Sequence, residues 1–233
     1  MKGLIELLCD FDGTVALEDT VDLLLEQLAD PAWRILEERW VRGEIDSREC
    51  MAGQIPLIQG GWAAIRRILE GARVDPTFAG FAVWCRRRGI RLRIVSGGID
   101  RVIHYLLARE GITVDEIWAP HLVEDERGRL TLDFPASTGR TRCGSTFCKC
   151  ELFAGRMPRP LRILVGDGRS DFCCARQADW IFARDTLITH CRAQAIDFLP
   201  FEDFAEIRRI LELRVLRPSG DKLRVSSPSL TSG

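Results

Sequence analysis

Four short stretches of this chain carry residues able to do chemistry. Asp10 and Asp12 stand one residue apart and run into Gly13 and Thr14. Ser96 precedes Gly97 and Gly98, Lys149 lies between Cys148 and Cys150, and Asp167 and Asp171 fall within Gly166-Asp167-Gly168-Arg169-Ser170-Asp171. Carboxylates can hold a cation, attack an electrophile or move a proton, whereas a hydroxyl, glycine N–H groups and an ammonium hold an anion. Each stretch alone also has a plain structural reading. Asp-x-Asp-Gly-Thr can be an acidic turn capping the next helix, Ser-Gly-Gly a strand-to-helix turn, and a single lysine a solvated charge.

The surrounding pattern places each stretch at the end of an element. An apolar run from Leu4 to Leu8, broken only by Glu6, predicts a buried strand that delivers Asp10 and Asp12. Arg91 to Val95 predicts a strand ending in Ser96-Gly97-Gly98, with a helix beyond carrying Val102, Ile103, Leu106 and Leu107. Arg162 to Val165 predicts a strand running straight into Gly166-Asp167, and Trp180 to Ala183 a further one. Glu116 to Phe134 reads as a strand and a hairpin turned at Asp125 to Gly128. The alternation of strands and helices predicts an α/β chain with a Rossmann-like, doubly wound parallel sheet, in which strand carboxyl ends converge.

Between the first strand and the next, only helical patterns occur. Val21, Leu24, Leu25 and Leu28 recur at helical spacing behind Asp19 or Thr20 as a cap, and Pro31 opens a helix with Trp33, Leu36 and Trp40. A third helix runs from Asp46 towards Ile58, and a fourth from Trp62 to Leu69. This defines a helical cap over 15–74, inserted in a core formed by 1–14 and 75–216, with a Ser-, Pro- and Gly-rich tail over 217–233 expected to be disordered. A module of this kind over strand ends can act as a lid.

Whole-chain properties narrow the partners. Net charge is −1, which provides no overall basic field for nucleic acid or an anionic membrane. Arg86-Arg87-Arg88 reads as a solvated helix end, because Gly89 follows as a C-cap. No apolar segment approaches the ~20 residues of a membrane span, and no cleavable leader pattern is seen, so a cytoplasmic location is expected. Nine cysteines, including adjacent Cys173-Cys174, fit reduced core thiols better than a disulfide framework.

The ordered set Asp-x-Asp-Gly-Thr, Ser-Gly-Gly, Lys and Gly-Asp-x-x-Ser-Asp resembles the four motifs of the haloacid dehalogenase superfamily of phosphatases, over residues 4 to 183. That resemblance implies Asp10 as nucleophile forming an aspartyl-phosphate, and Asp12 as general acid and then base. It implies Mg²⁺ held by the Asp10 carboxylate, the Asp12 main-chain carbonyl and Asp167. Ser96, the Gly97 N–H and Lys149 would bind the phosphoryl oxygens, with Thr14 and Asp171 in support. A small phosphorylated metabolite is the implied partner, and a homodimer stays open.

Within the superfamily the helical insertion resembles the phosphoserine phosphatase branch, where a cap arginine takes the substrate carboxylate. An ungapped placement puts Gln54 there, with Arg48 nearby, and Glu18-Asp19 where that branch carries an acid. A closer resemblance is to the branch acting on 2-hydroxy-3-keto-5-methylthiopentenyl-1-phosphate in methionine salvage. It rests on Cys9-Asp10-Phe11-Asp12-Gly13-Thr14, the cysteine-bearing stretch ending at Lys149, and Phe182-Ala183-Arg184-Asp185 through Leu199-Pro200-Phe201-Glu202-Asp203-Phe204. Phosphoserine and phosphoethanolamine or phosphocholine esters are the alternative substrates, and a phosphate-binding module without turnover is the non-enzymatic one. Glu18, Asp19, Trp40, Arg48, Gln54 and Trp62 are the candidates for reading the leaving group. Cys143, Cys148 and Cys150 form a C-x4-C-x-C pattern that could hold zinc with a fourth ligand such as His121, or pack as reduced thiols.

Overall fold

The computed structural model describes residues 4–136, 146–153 and 159–215; Cys143 and the expected tail lie outside them. Strand β1 (Ile5–Cys9) leads to helices α1 (Thr20–Leu28), α2 (Trp33–Val41), α3 (Ser47–Gln54), α4 (Gly61–Leu69) and α5 (Phe78–Arg88). Then come β2 (Ile90–Val95), α6 (Asp100–Arg109), β3 (Glu116–Trp118), and a hairpin of β4 (His121–Glu124) and β5 (Leu130–Asp133). Short α7 (Cys150–Phe153) precedes β6 (Leu161–Gly166), α8 (Phe172–Ala175), β7 (Trp180–Ala183), α9 (Asp185–Ala193), β8 (Leu199–Pro200) and α10 (Phe204–Arg214). No helix of the described residues is long and apolar enough to cross a membrane.

The main sheet runs β3-β2-β1-β6-β7-β8, with every pairing parallel. The chain leaves β1 towards β3 on one side and returns to β6 on the other. Strand order therefore reverses between β1 and β6, and a crevice opens at their carboxyl ends. Both neighbours register on β1, Cys9 opposite Ile94 and Val165, so Asp10 and Asp167 emerge side by side.

Side chains alternate between two apolar layers. Leu7, Cys9, Leu92, Ile94, Ile163 and Val165 join one layer with α5, α6 and α10, while Leu8, Val95, Leu164 and Ile181 join the other with α7, α8 and α9. Burial on both faces is why these strands read as apolar runs rather than alternations. The interruption at Glu6 has a structural counterpart: Arg93, also buried, lies 3.4 Å from Glu6 and 3.0 Å from Glu116. Such a ladder across three strands keeps the buried carboxylate compensated.

Local chemistry sets the helical insertion. Asp19 caps α1 by accepting from the Val21 and Asp22 N–H groups, and Asp46 forms a reciprocal capping box with Glu49 at the start of α3. The single helix expected from Asp46 towards Ile58 instead ends at Gln54 and tightens into a 3₁₀ turn, Ile55–Leu57. Pro56 explains the break, since it has no N–H for the α-helical ladder. The chain enters and leaves the insertion through an antiparallel bridge, Ala16 opposite Val74, with Leu17 N donating to Arg73 O at 2.9 Å. Leu24, Leu25, Ile65 and Leu69 belong to the same apolar cluster as β1. Each such side chain, fully buried, contributes about 1.5–3 kcal/mol. Leu199 and Pro200, just before α10, form the edge strand β8, a position that tolerates Pro200.

Candidate active site

After Cys9 the chain wraps around one carbonyl: the N–H groups of Thr14, Val15 and Ala16 all donate to Phe11 O. Gly13 turns within it at φ +69, and a Cβ there would stand 2.5 Å from Asp167 Oδ2. Only glycine takes that backbone and leaves the carboxylate its place. At Gly98 and Gly166 the constraint is space alone, since a Cβ there would run into the carboxylates of Asp12 and Asp171.

This turn sends the two aspartates to different partners. Asp10 is buried; its Oδ1 accepts from Phe11 N at 2.8 Å and lies 3.0 Å from Lys149 Nζ, while its Oδ2 accepts from Ser170 Oγ at 3.1 Å. Lys149, 1% exposed, also donates to Asp171 Oδ1 at 2.7 Å, and Asp171 is itself fully buried. Asp12 turns the other way: Oδ1 accepts from Thr20 N at 2.9 Å and Thr20 Oγ1 at 2.6 Å, and Oδ2 faces Ser96 Oγ at 3.3 Å. Ser96 in turn accepts from Gly98 N at 2.9 Å. Thr14 Oγ1 donates to Asp167 Oδ1 at 2.9 Å.

Burial dominates the electrostatics. It pushes the Asp12 carboxyl up to about 8, with Asp19 adding repulsion, against the Thr20 hydrogen bonds that pull it down. Burial and then the Asp10 charge raise Asp167 to about 7. Asp171 rises to about 8 through burial, which outweighs the lowering by Lys149. For Lys149 burial works against the charge, yet Asp10 and Asp171 more than compensate and keep it an ammonium. The strand ends thus hold more acidic groups than one lysine can keep ionised, and burial favours the protonated form of the rest.

Carboxylate oxygens of Asp10, Asp167 and Asp171 lie within 4.8 Å of one another. Among the described residues no N–H donates to the Asp12 main-chain carbonyl. Hard oxygen donors crowded in one place, more of them than one ammonium keeps ionised, fit a small divalent cation such as Mg²⁺, and do not fit a soft one.

Above this floor is a cavity of about 560 Å³. Asp10, Asp12, Ser96 and Gly97 line it from the core, and Asp19, Trp40 and Gln54 from the helices. The predicted residues divide accordingly. Gln54, buried, points its amide at Glu37 Oε2 at 3.0 Å. Glu18 lies outside the lining and pins the entry bridge through Arg73 at 2.6 Å. Arg48 lies outside it too, over the Phe134 ring at 4.6 Å, and Trp62 packs edge-on against Tyr105.

Sequence reasoning did not single out Ser170, Thr20 or Arg169 as site residues. Ser170 stands inside a stretch already recognised, and its hydroxyl reaches Asp10. Thr20 was a cap candidate, but Asp19 caps α1 and Thr20 is left to hold Asp12. The Arg169 guanidinium lies over the Trp40 ring at 5.1 Å, joining the core loop to the helical layer across the cavity; no local pattern signals that pair.

Fold and site together define an α/β enzyme whose carboxylates and ammonium meet at a topological switch point beneath a helical cover. Residues 7–176 match the haloacid dehalogenase-like hydrolases, and the chain belongs to that family. It is 31% identical over 213 residues to a 2-hydroxy-3-keto-5-methylthiopentenyl-1-phosphate phosphatase of Bacillus velezensis, covering 88% of this chain and 89% of that one. A protein of the same name from Geobacillus thermodenitrificans is 28% identical over 89% of this chain and 95% of its own. Among solved structures, a phospho-aspartyl intermediate analogue of phosphoserine phosphatase superposes with a TM-score of 0.65, at 16% identity, over 91% of this chain and 99% of that one. At that identity the superposition establishes a shared fold.

Proposed function

We propose that this phosphoric monoester hydrolase is a Mg²⁺-dependent phosphatase that works through an aspartyl-phosphate on Asp10 and acts on 2-hydroxy-3-keto-5-methylthiopentenyl-1-phosphate in methionine salvage. One observation carries the mechanism: a buried ammonium, Lys149, sits 3.0 Å from Asp10 at a strand end, while the neighbouring acid, Asp12, is tied to other partners. The substrate rests on the activity for which both relatives are named. The reading takes 1–14 and 75–216 as the core, 15–74 as the cap, and the cytoplasm as the site of action, with neither nucleic acid nor membrane as partner.

A phosphate monoester dianion repels an attacking carboxylate, so its charge must first be offset. Lys149, Ser96 and the Gly97 N–H bind the phosphoryl oxygens. Bound Mg²⁺ would supply further charge neutralisation, held by Asp10, Asp167 and the Asp12 carbonyl, with Thr14 and Asp171 orienting the ligands. An Asp10 oxygen forms the new bond to phosphorus as the bond to the leaving oxygen breaks. Asp12, kept protonated by burial, donates its proton to that leaving oxygen. The resulting Asp12 carboxylate takes a proton from water, whose oxygen attacks phosphorus and restores Asp10.

A specific observation favours a second reading of the substrate. The cavity wall from the helices carries Asp19, Asp22 and Glu37 beside Trp40, a combination suited to a cationic leaving group such as ethanolamine or choline. kcat/KM over a set of small phosphomonoesters decides between them. Preference for the methylthiopentenyl ester supports the first reading; preference for phosphoethanolamine or phosphocholine replaces it. Absence of any Mg²⁺-dependent turnover of p-nitrophenyl phosphate leaves a binding module and refutes both.

A further inference from the structure

Next to the Lys149–Asp171 pair lies a group of thiols that phosphoryl transfer does not use. Cys148 and Cys150 flank Lys149 in the chain, and Cys173 follows Asp171 by two residues. Their Sγ atoms lie within 4.8 Å of one another, two of the residues buried and Cys173 half-buried. Sulfurs around a tetrahedral zinc, with Zn–S about 2.3 Å, stand about 3.8 Å apart, so the trio closes on an ion with shifts of about 1 Å.

Of the pattern visible in the chain, Cys148 and Cys150 belong to this group, and Cys143 lies outside the described residues. His121, the expected fourth ligand, has its Nδ1 2.6 Å from Asp100 Oδ2 on an exposed hairpin. Cys173, from a segment beyond β6, takes a place among the thiols instead. A single buried cysteine acts as a small hydrophobe, but three polarisable sulfurs converging from two segments form a donor set. Contact with Cys173, followed by burial, holds the Cys150 thiol strongly protonated when nothing replaces its proton. The donors are soft, whereas Asp10, Asp167 and Asp171 offer hard oxygens, so two cations sort between the two groups by chemistry.

We propose that Cys148, Cys150 and Cys173 bind one thiophilic divalent cation of the zinc class, which staples the segment carrying Lys149 to the segment carrying Asp171. Three S–H bonds break as three sulfur–metal bonds form, the protons leave to solvent, and one further donor completes the tetrahedron. No electron is transferred and no oxidant is needed. The staple fixes the main chain on both sides of Lys149, which must reach Asp10 and Asp171 while fully desolvated.

The test uses the full chain, reduced and stripped of metal, titrated with Co²⁺ in excess Mg²⁺. The expected result is one cobalt per chain, with the strong visible bands of a tetrahedral ion and ultraviolet thiolate-to-cobalt charge transfer. Zn²⁺ should bleach both and protect three thiols from a thiol reagent. Cys173→Ser removes the charge-transfer band or reduces it by about a third, while Cys191→Ser, in the same apolar layer but outside the trio, leaves it unchanged. Should Cys173→Ser fail to fold, the count of thiols protected by Zn²⁺ in the native sequence decides alone. Weak octahedral cobalt spectra, no protection by Zn²⁺, or a disulfide within the trio in reducing buffer would each overturn the proposal. None of these readouts depends on phosphatase activity.

Discussion

Replacing Asp12 by Asn separates proton transfer from everything else Asp12 does. With its carboxyl pushed to about 8, the group is about nine-tenths protonated at pH 7, so the substitution exchanges one neutral group for another. An amide oxygen can accept from Thr20 N and Oγ1 as the carboxyl does at 2.9 and 2.6 Å, and an amide NH₂ can face Ser96 Oγ at 3.3 Å. The cost in stability should stay within about 1 kcal/mol, a Tm shift of about 2–4 °C. Catalysis should fare otherwise. A positioned acid–base group contributes about 10²–10⁴ in rate, or about 2.7–5.4 kcal/mol. Nitrophenolate leaves without a proton, so Asp12→Asn should still form the phosphorylated enzyme from p-nitrophenyl phosphate but hydrolyse it slowly. The assay is kcat together with intact mass after acid quench, which should show the mass of one phosphoryl group accumulating. Turnover like that of the native sequence would refute the acid–base role. Loss of magnesium dependence with no accumulated phosphoenzyme would instead make the Asp12 side chain a metal ligand.

Lys149→Met strands two buried carboxylates and should cost about 3–5 kcal/mol in urea denaturation, with part of the loss recovered in the Lys149→Met/Asp171→Asn double variant; simple additivity would remove the pair from the account. Gly13→Ala forces a left-handed backbone worth about 1–2 kcal/mol and a Cβ 2.5 Å from Asp167 Oδ2, so the Mg²⁺ concentration for half-maximal rate should rise about 10–100-fold. Trp40→Ala withdraws the ring beneath Arg169 and should raise KM about 2–5-fold with a smaller change in kcat, measured by steady-state kinetics. Chelation by EDTA should abolish turnover and Mg²⁺ restore it, while Ca²⁺, larger and with looser geometry, should restore it poorly.

Much of the core was legible because it follows from local periodicity. The apolar runs at Leu4–Leu8, Arg91–Val95 and Arg162–Val165 became β1, β2 and β6, and a parallel sheet obliges their carboxyl ends to face one way. Asp10, Asp12, Ser96 and Asp167 follow those runs directly and so fall at one edge of the sheet, whereas Lys149 follows none of them and joins the site through the family resemblance. The cap at Gly89, and the choice of Asp19 or Thr20 at the start of α1, were equally local, because a cap depends only on the residues next to it.

What the chain order could not contain were contacts between segments far apart in sequence. Arg93 compensating Glu6, Ser170 reaching Asp10, Arg169 over Trp40 and Cys173 among the thiols of Cys148 and Cys150 each join elements brought together only by the sheet order and the helices above it. The helical layer shows this best. Its helices were plain from spacing, yet Glu18 and Arg48 turned to Arg73 and Phe134 while Gln54 turned inward, because a side chain's direction depends on helix phase and on where Pro56 ended α3. Residue types and spacing pointed to carboxylates and an anion-holding Ser-Gly-Gly turn at neighbouring strand ends. Only tertiary packing decided which Asp10 oxygen meets Lys149, which acid burial keeps protonated, and which side chains face the leaving group, since those depend on distances and desolvation that no spacing encodes.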